Sequence, residues 1–385
     1  MLKVVYITES LSIHDFKYLK TACEADIKVF LFAMSEDVPE DIRTLSNIEI
    51  HHIDLFRKYK AGNVILQNLY FWLVLRELRR YLKEIKPDVV HAGWVFGSGF
   101  ITALSGFHPF LLMPWGSDVL CYPRENYRIK QMVKYAIKKA DMITCDCQRV
   151  KNTVIGLTGY SAEKIIVFPW GIDLSIFHPQ HTNEAQRIKK SLGWENNKIL
   201  IMSRSYYPVH GTKYFLQALP EILNQVPEAR VLMMGAGPLE GEMKTMARDL
   251  AIDDKIRFLK WVPNEELPNY LCAADIYVST SLSDGTSLCL LEGMACRLPV
   301  VVSDAPANLE WIENGKNGHV VPRRDSTVLA WRIIELLGNE VERKRMGALN
   351  ISMAREKADW NRNFAKLKAM YKSLAELEVR QSHDE

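Results

Sequence analysis

Two doubly wound α/β domains are the fold class this sequence predicts, on three observations. From residue 3 to about 168, short β-branched runs alternate with stretches of helical period. A polar, Pro-containing connection, Phe177-His178-Pro179-Gln180-His181-Thr182-Asn183, then intervenes, and the alternation starts again after it. Finally, 385 residues with 48% hydrophobic content suit two domains of ordinary size, each with its own core. Domains over 1–180 and 181–360 are expected, with a helix over about 361–380 that packs back on the first. Such sheets bind ligands at the carboxyl ends of their strands, here facing an interdomain cleft.

The elements follow in order. Strands are expected at 3–8, 27–33 and 48–53, with a helix over 14–25 after the first. A long helix over 62–85, rich in aromatic and basic residues, stops before Lys86-Pro87-Asp88. Strands at 89–92 and 110–113 follow, the second leading to the turn Pro114-Trp115-Gly116-Ser117-Asp118. A basic helix over 127–139 and strands at 142–144 and 165–168 complete the first half. In the second half, strands are expected at 199–203, 230–234, 256–258, 276–280 and 300–303. The last helices span 327–337, 340–353 and 361–377, and the polar tail 381–385 is expected to be disordered.

Composition narrows the function classes. A formal net charge of +3 is too small for wholesale nucleic-acid binding. Seven scattered Cys with no CxxC pair read as reduced thiols, neither a disulfide framework nor a zinc site. The first residues run directly into a strand without a signal-peptide layout, and the longest apolar run, 69–75, is far short of a membrane span. A cytoplasmic protein is expected; that it uses no metal or cofactor is implied only by the family resemblance below.

The most informative stretch is Ser281-Leu282-Ser283-Asp284-Gly285-Thr286-Ser287-Leu288-Cys289-Leu290-Leu291-Glu292-Gly293-Met294-Ala295. Asp284 falls where a strand ends, and Gly285, Thr286 and Ser287 form a tight turn opening a helix over 288–296. Small residues let the backbone approach a ligand, and the N–H groups of a first helical turn favour an anion. Asp284 and Glu292, eight residues apart, flank that anion site as acceptor-only carboxylates suited to sugar or ribose hydroxyls. The ligand this describes is polyhydroxylated and phosphorylated.

Several blocks in a fixed order carry a family resemblance over almost the whole chain. They are Lys86-Pro87-Asp88-Val89-Val90-His91-Ala92, Trp115-Gly116-Ser117-Asp118-Val119, Pro169-Trp170-Gly171-Ile172-Asp173, Met234-Gly235-Ala236-Gly237-Pro238, Phe258-Leu259-Lys260-Trp261-Val262-Pro263, the stretch just described, and Asn308-Leu309-Glu310-Trp311 with Asn314-Gly315-Lys316-Asn317-Gly318. In these blocks the chain resembles a retaining glycosyltransferase of family 4, with the GT-B fold of two Rossmann-like domains. The resemblance implies that Glu292 accepts hydrogen bonds from the donor's ribose and that Asp284 holds hydroxyls of the transferred sugar. It also implies that the backbone of Gly285, Thr286, Ser287 and Leu288 meets sugar and phosphate. Gly235 and Gly237 would lie beside the nucleotide and Val262 near its base.

Arg204 matches the family's diphosphate-binding Arg, whereas the family's Lys position holds His210, one residue further along. Lys213 reads either as the substitute cation or as a solvated helix charge. On the acceptor side, His14, Trp115 and Asp118 follow expected strands; Trp115 stands where the family often has His, and cannot transfer a proton. His14 reads equally as an ordinary histidine at a helix start, and His91 as structural. Asp284, Arg204, Trp115 and Asp118 are thus the expected catalytic group, with Asp284 one methylene shorter than the family's commoner Glu.

The implied activity is transfer of a hexose-type sugar, with retention and without a metal, from a nucleotide-diphosphate sugar to an acceptor hydroxyl. Glycan, lipid-linked and small-molecule acceptors all fit, in cell-surface polysaccharide or glycolipid synthesis. The basic side chains of the first domain (Arg76, Arg79, Arg80, Lys83, Lys86 and the set from Arg124 to Lys139) suit an anionic membrane surface or simply a solvated helix face. Two alternatives remain on the same fold: a degenerate relative that binds nucleotide or glycan without turnover, and a nucleotide-sugar epimerase.

Overall fold

The computed structural model describes residues 1–35, 37–53 and 64–381. It divides into two compact units, Met1–Phe168 with Phe364–Glu385, and Pro169–Asn363. The first unit holds β1 (Leu2–Thr8), β2 (Ile27–Ala33), β3 (Ile48–His52), β4 (Val89–Gly93), β5 (Phe110–Met113), β6 (Met142–Cys145) and β7 (Ile165–Val167). They form one parallel sheet in the order β3-β2-β1-β4-β5-β6-β7. Its central strands are apolar on both faces, as a sheet covered by helices requires: Val4, Val5, Ile7, Val89 and Val90 are fully buried. The first helix, Ile13–Glu24, starts at a capping box in which Ser12 and Asp15 satisfy each other's backbone N–H groups.

The second unit holds β8 (Lys198–Ser203), β9 (Ala229–Met234), β10 (Ile256–Leu259), β11 (Ile276–Ser279), β12 (Val300–Ser303) and β13 (Gly318–Val321). They pair, again all parallel, in the order β10-β9-β8-β11-β12-β13. Two apolar layers cover this sheet, one around Phe215, Leu219 and Ile333, the other around Tyr277, Leu291, Met294 and Trp311.

Boundaries differ from the sequence-based expectation at the division between the units and at the last helix. The division between units falls after Phe168 rather than at 180/181. Residues 169–180 join the second unit because Ile172 exchanges backbone hydrogen bonds with Ala358 and Trp360, Trp170 stacks on Trp360 at 5.5 Å, and Phe177 is buried in that core. The last helix is Trp360–Gln381, and from Phe364 onward it belongs to the first unit, where Tyr371 bonds both Tyr18 and His91 at 2.6 Å. The long basic helix is described over Val64–Ile85; the start expected at 62 and the tail beyond Gln381 lie outside the described residues.

Strand β13 was not expected. It begins at Gly318, where the pairing with Val300 is so close that a Cβ would meet the Val300 carbonyl at 2.7 Å.

Candidate active site

Doubly wound sheets open a crevice where the strand order reverses, because the connections on either side cross to opposite faces. In the second unit that reversal lies between β8 and β11. Arg204 immediately follows β8, and Asp284 follows β11 by five residues. Residues eighty positions apart in the chain thus meet at the switch point: Arg204 Nη2 donates to Asp284 Oδ2 and Nη1 to Ser287 Oγ at 3.0 Å. Both charged side chains are largely withdrawn from water, 14% and 17% exposed. Burial alone works against the Arg204 charge, but the Asp284 carboxylate outweighs it and holds the guanidinium above its ordinary value. For Asp284, burial pushes the carboxyl upward while Arg204 and the Gly285 N–H oppose it.

The turn after Asp284 is built as the sequence suggests, with Gly285, Thr286 and Ser287 buried. The helix it opens is Leu288–Ala295, and its N-cap is Ser287, whose Oγ accepts from Leu290 N–H. Ser287 therefore serves two donors, fixing Arg204 against the helix start. Glu292 lies one turn into that helix and is half-buried, and Leu288 is partly exposed at its first position. Cys289, between them, has its thiol pushed up to about 12 by burial and by Glu292, so it is not a thiolate near neutrality.

The glycines of 235–237 act through closeness. A Cβ on Gly235 would meet the Arg204 carbonyl at 2.3 Å, and one on Gly237 would meet the Tyr206 carbonyl at 2.7 Å. Tyr206 N–H in turn donates to Ala236 O at 3.0 Å. The turn after β9 thus clamps the segment that carries Arg204. Val262 sits partly buried against the same apolar layer as Leu291, next to Trp261, which is 70% exposed.

The two candidates for a second cation fare differently. His210 closes the short 3-10 turn Pro208–His210, with Nδ1 at 2.7 Å from Ser205 O. Burial first, and the Arg204 charge second, lower its pKa to about 4, so it is neutral near pH 7 and contributes no charge. Lys213 is exposed on the helix Thr212–Gln225, its ammonium over the ring of Tyr214 at 5.2 Å. Among the described residues, neither is brought to the Arg204–Asp284 pair by a hydrogen bond or ion pair.

In the first unit the strand order reverses between β1 and β4; His14 lies on the helix after β1, and Trp115 and Asp118 follow β5, the neighbour of β4. Asp118 is completely buried and accepts from the backbone N–H of Val95 at 2.9 Å and of Trp115 at 3.0 Å. Burial raises its carboxyl to about 6 against those backbone bonds. Its carboxylate is taken up by the backbone of two loops, the geometry of a positioning residue. Trp115 is partly exposed, its ring 5.8 Å from that of His14. Its indole nitrogen lies so close to Gly93 that a Cβ there would meet it at 2.3 Å.

Sequence reasoning passed over Glu9. It follows β1, and its carboxylate rests on Gly97, where a Cβ would meet Oε2 at 2.0 Å. Burial, then the Asp118 charge, raise it to about 7. The only sequence signal was a carboxylate in a first βα loop, which by itself is ordinary. His91 sits as a structural residue: it is fully buried on Tyr371 and depressed by burial to about 3.

Comparison with known proteins decides the family. The profile of the family "Glycosyl transferases group 1" matches residues 184–351, and that of "Glycosyl transferase 4-like" matches residues 3–147. The chain belongs to the group 1 glycosyltransferases of GT4 type. Among its relatives, Spore coat protein SA of Bacillus subtilis is 28% identical over 213 residues, 52% of this chain and 56% of that protein. The GDP-mannose-dependent alpha-(1-6)-phosphatidylinositol monomannoside mannosyltransferase of Mycolicibacterium smegmatis is 26% identical over 59% of this chain and 61% of its own. The chain therefore matches little more than half the length of these curated relatives. The crystal structure of Anabaena HepE in complex with UDP and glucose superposes with a TM-score of 0.80 at 17% identity, over 97% of this chain and 100% of that one. This glycosyltransferase thus has the two-domain α/β architecture of GT-B enzymes.

Two further features of the glycosyltransferase bear on its partners. Among the described residues, no group of three or more His, Cys, Asp and Glu is placed to hold a metal ion, and no helix is long and apolar enough to cross a membrane. On the helix Val64–Ile85, Leu69, Trp72 and Leu73 are exposed, and Trp72 with Arg76, Arg79, Arg80 and Lys83 lines a shallow cavity of about 390 Å³. Phe71 stacks on Phe100, which meets Tyr135 on the basic helix Tyr127–Lys139, so both basic helices border one aromatic face.

Proposed function

We propose that the protein transfers a hexose-type sugar from a nucleotide-diphosphate sugar to an acceptor hydroxyl, with retention of anomeric configuration. One observation carries the reading: a buried Arg204 meets Asp284 and Ser287 at the strand-order reversal of the unit that matches the group 1 profile. An arginine that stays charged when buried suits a diphosphate, whose oxygens it can grip in a fork. Asp284 and Glu292 then take hydroxyls of sugar and ribose. Because His210 is neutral, Arg204 supplies the permanent charge that stabilises the departing diphosphate. The leaving phosphate takes the acceptor proton, which requires no protein base and no metal, and catalysis is chiefly positioning and electrostatics. HepE was solved with UDP and glucose, which supports nucleotide-sugar chemistry for this fold.

A thermal-shift screen against nucleotide sugars, with release of nucleoside diphosphate as the second readout, tests this reading. A stabilising donor that is turned over in the wild type, and neither binds nor reacts in Arg204→Ala, is the expected result. Binding without release on every acceptor tried would favour a relative that has lost turnover, a reading to which the neutral His210 lends weight.

The acceptor is proposed to be a glycan or a lipid-linked sugar, reached at an anionic membrane surface through the exposed Trp72 and its neighbouring arginines. Vesicles containing anionic phosphatidylglycerol should sediment the protein, neutral ones should not, and salt should release it. Sedimentation indifferent to lipid charge would return this face to a solvated helix surface.

A further inference from the structure

Arg204 and Asp284 are both expected to serve the donor, yet each is the other's ion partner. Of the guanidinium's donors, Nη2 is on Asp284 and Nη1 is on Ser287 Oγ at 3.0 Å; the Cys289 thiol is a further, weak acceptor beside the group, and the buried Nε–H meets no oxygen. An unmet donor on a buried cation marks where a further acceptor oxygen would be welcome. Asp284 is held by Arg204 and the Gly285 N–H, so its carboxylate loses its charged partner if Arg204 turns away. A diphosphate offers a guanidinium several oxygens and more charge than one carboxylate does.

Building on the donor-binding reading above, we propose that Asp284 is an internal placeholder for the donor's diphosphate. When a nucleotide sugar binds, Arg204 changes partner from Asp284 to the diphosphate, and Asp284 accepts the sugar's hydroxyls in place of the guanidinium. Capture of the sugar and capture of the diphosphate are then one event. With the whole donor, both charged groups exchange one set of partners for another. With nucleoside diphosphate alone, Arg204 is satisfied but Asp284 is left as a buried carboxylate without a donor, which is costly. The Arg204–Asp284 pair therefore competes with the spent nucleotide once the sugar has left, and helps to expel it. This makes Asp284 a residue that sets preference for donor over product, a role separate from holding the sugar.

The test compares two ligands on one preparation, so that any inactive fraction cancels. Calorimetric titrations would use UDP with UDP-glucose and GDP with GDP-mannose, on the wild type, Asp284→Asn and Asp284→Glu. Asparagine keeps the size and an acceptor but removes the charge that competes for Arg204. The expected result is that Asp284→Asn binds the nucleoside diphosphate about tenfold more tightly while the nucleotide sugar gains nothing. The ratio of the two affinities then shifts by at least that factor. Asp284→Glu, which keeps the charge, should leave the ratio near the wild-type value. An unchanged ratio in Asp284→Asn, or equal weakening of both ligands, overturns the exchange while leaving the donor site in place. Failure of the wild type to bind either pair refutes the donor-binding reading itself, and the exchange with it.

Discussion

Replacing Glu9 with Gln should have little effect on stability near pH 4.5 and should stabilise the protein increasingly as the pH rises towards 7, the gap levelling off above it. The carboxyl of Glu9 sits at about 7 in the folded chain against 4.5 for an ordinary Glu, through burial first and repulsion from Asp118 second. A raised pKa means that the folded state keeps a proton which the unfolded chain has released between those two values. The stability Glu9 contributes is fully present below 4.5 and is lost as the pH rises through 7. A shift from 4.5 to about 7, at about 1.4 kcal/mol per pH unit, amounts to about 3.5 kcal/mol. Glutamine mimics the protonated form and does not titrate, so the variant escapes that loss. For a domain of this size the gap should reach roughly 7–14 °C in melting temperature at pH 8. Scanning calorimetry of both proteins at half-unit steps from pH 4.5 to 8, at constant ionic strength, would show the two curves diverging. All other titrating groups are common to both, so their effects largely subtract. Curves that stay parallel would mean that Glu9 keeps an ordinary pKa, and that its carboxylate is not enclosed against Gly97 and beside Asp118.

Three further outcomes follow from the structure. Glu292→Ala should weaken donor binding by about 1–3 kcal/mol in calorimetric titration, through lost hydrogen bonds to ribose, with an unchanged melting temperature. Tyr371→Phe removes the hydroxyl that meets Tyr18 and takes away the partner of the buried His91 Nδ1, so chemical denaturation should show a loss of about 1–3 kcal/mol, confined to the unfolding of the first unit. Gly235→Ala drives a methyl against the Arg204 carbonyl; it should lower stability by more than about 1 kcal/mol and reduce nucleotide affinity together with it, because the displaced backbone carries the binding arginine.

Most of the fold was legible because parallel strands buried on both faces announce themselves as short β-branched runs. Val300-Val301-Val302 and Val4-Val5 are cases in point. Strand β13 was hidden because Gly318 serves packing against Val300 and looks like a turn residue. The unit boundary was misplaced because the polar run 177–183 is a local signal, whereas the backbone bonds of Ile172 to Ala358 and Trp360 are long-range. The donor motif was legible because its turn, cap and carboxylates lie within one short stretch. Its union with Arg204 depends on which strands are neighbours, and the resemblance, not the spacing, brought Arg204 forward. The neutrality of His210 and the raised carboxyls of Glu9 and Asp118 arise from burial among residues distant in sequence, so no reading of the chain in order could give them.

The last helix has a consequence for how the protein is made. Its residues from Phe364 onward complete the first unit, supplying the hydroxyl on which Tyr18 and His91 converge. The entire second unit is encoded between the two pieces of the first. During synthesis, the sheet β1 to β7 therefore leaves the ribosome without the element that covers that part of it. It must wait, with His91 and its neighbours open to solvent or to a chaperone, until an intervening domain has been translated. The second unit is contiguous and can finish first, so the N-terminal half of this chain is expected to be the last to reach its native packing.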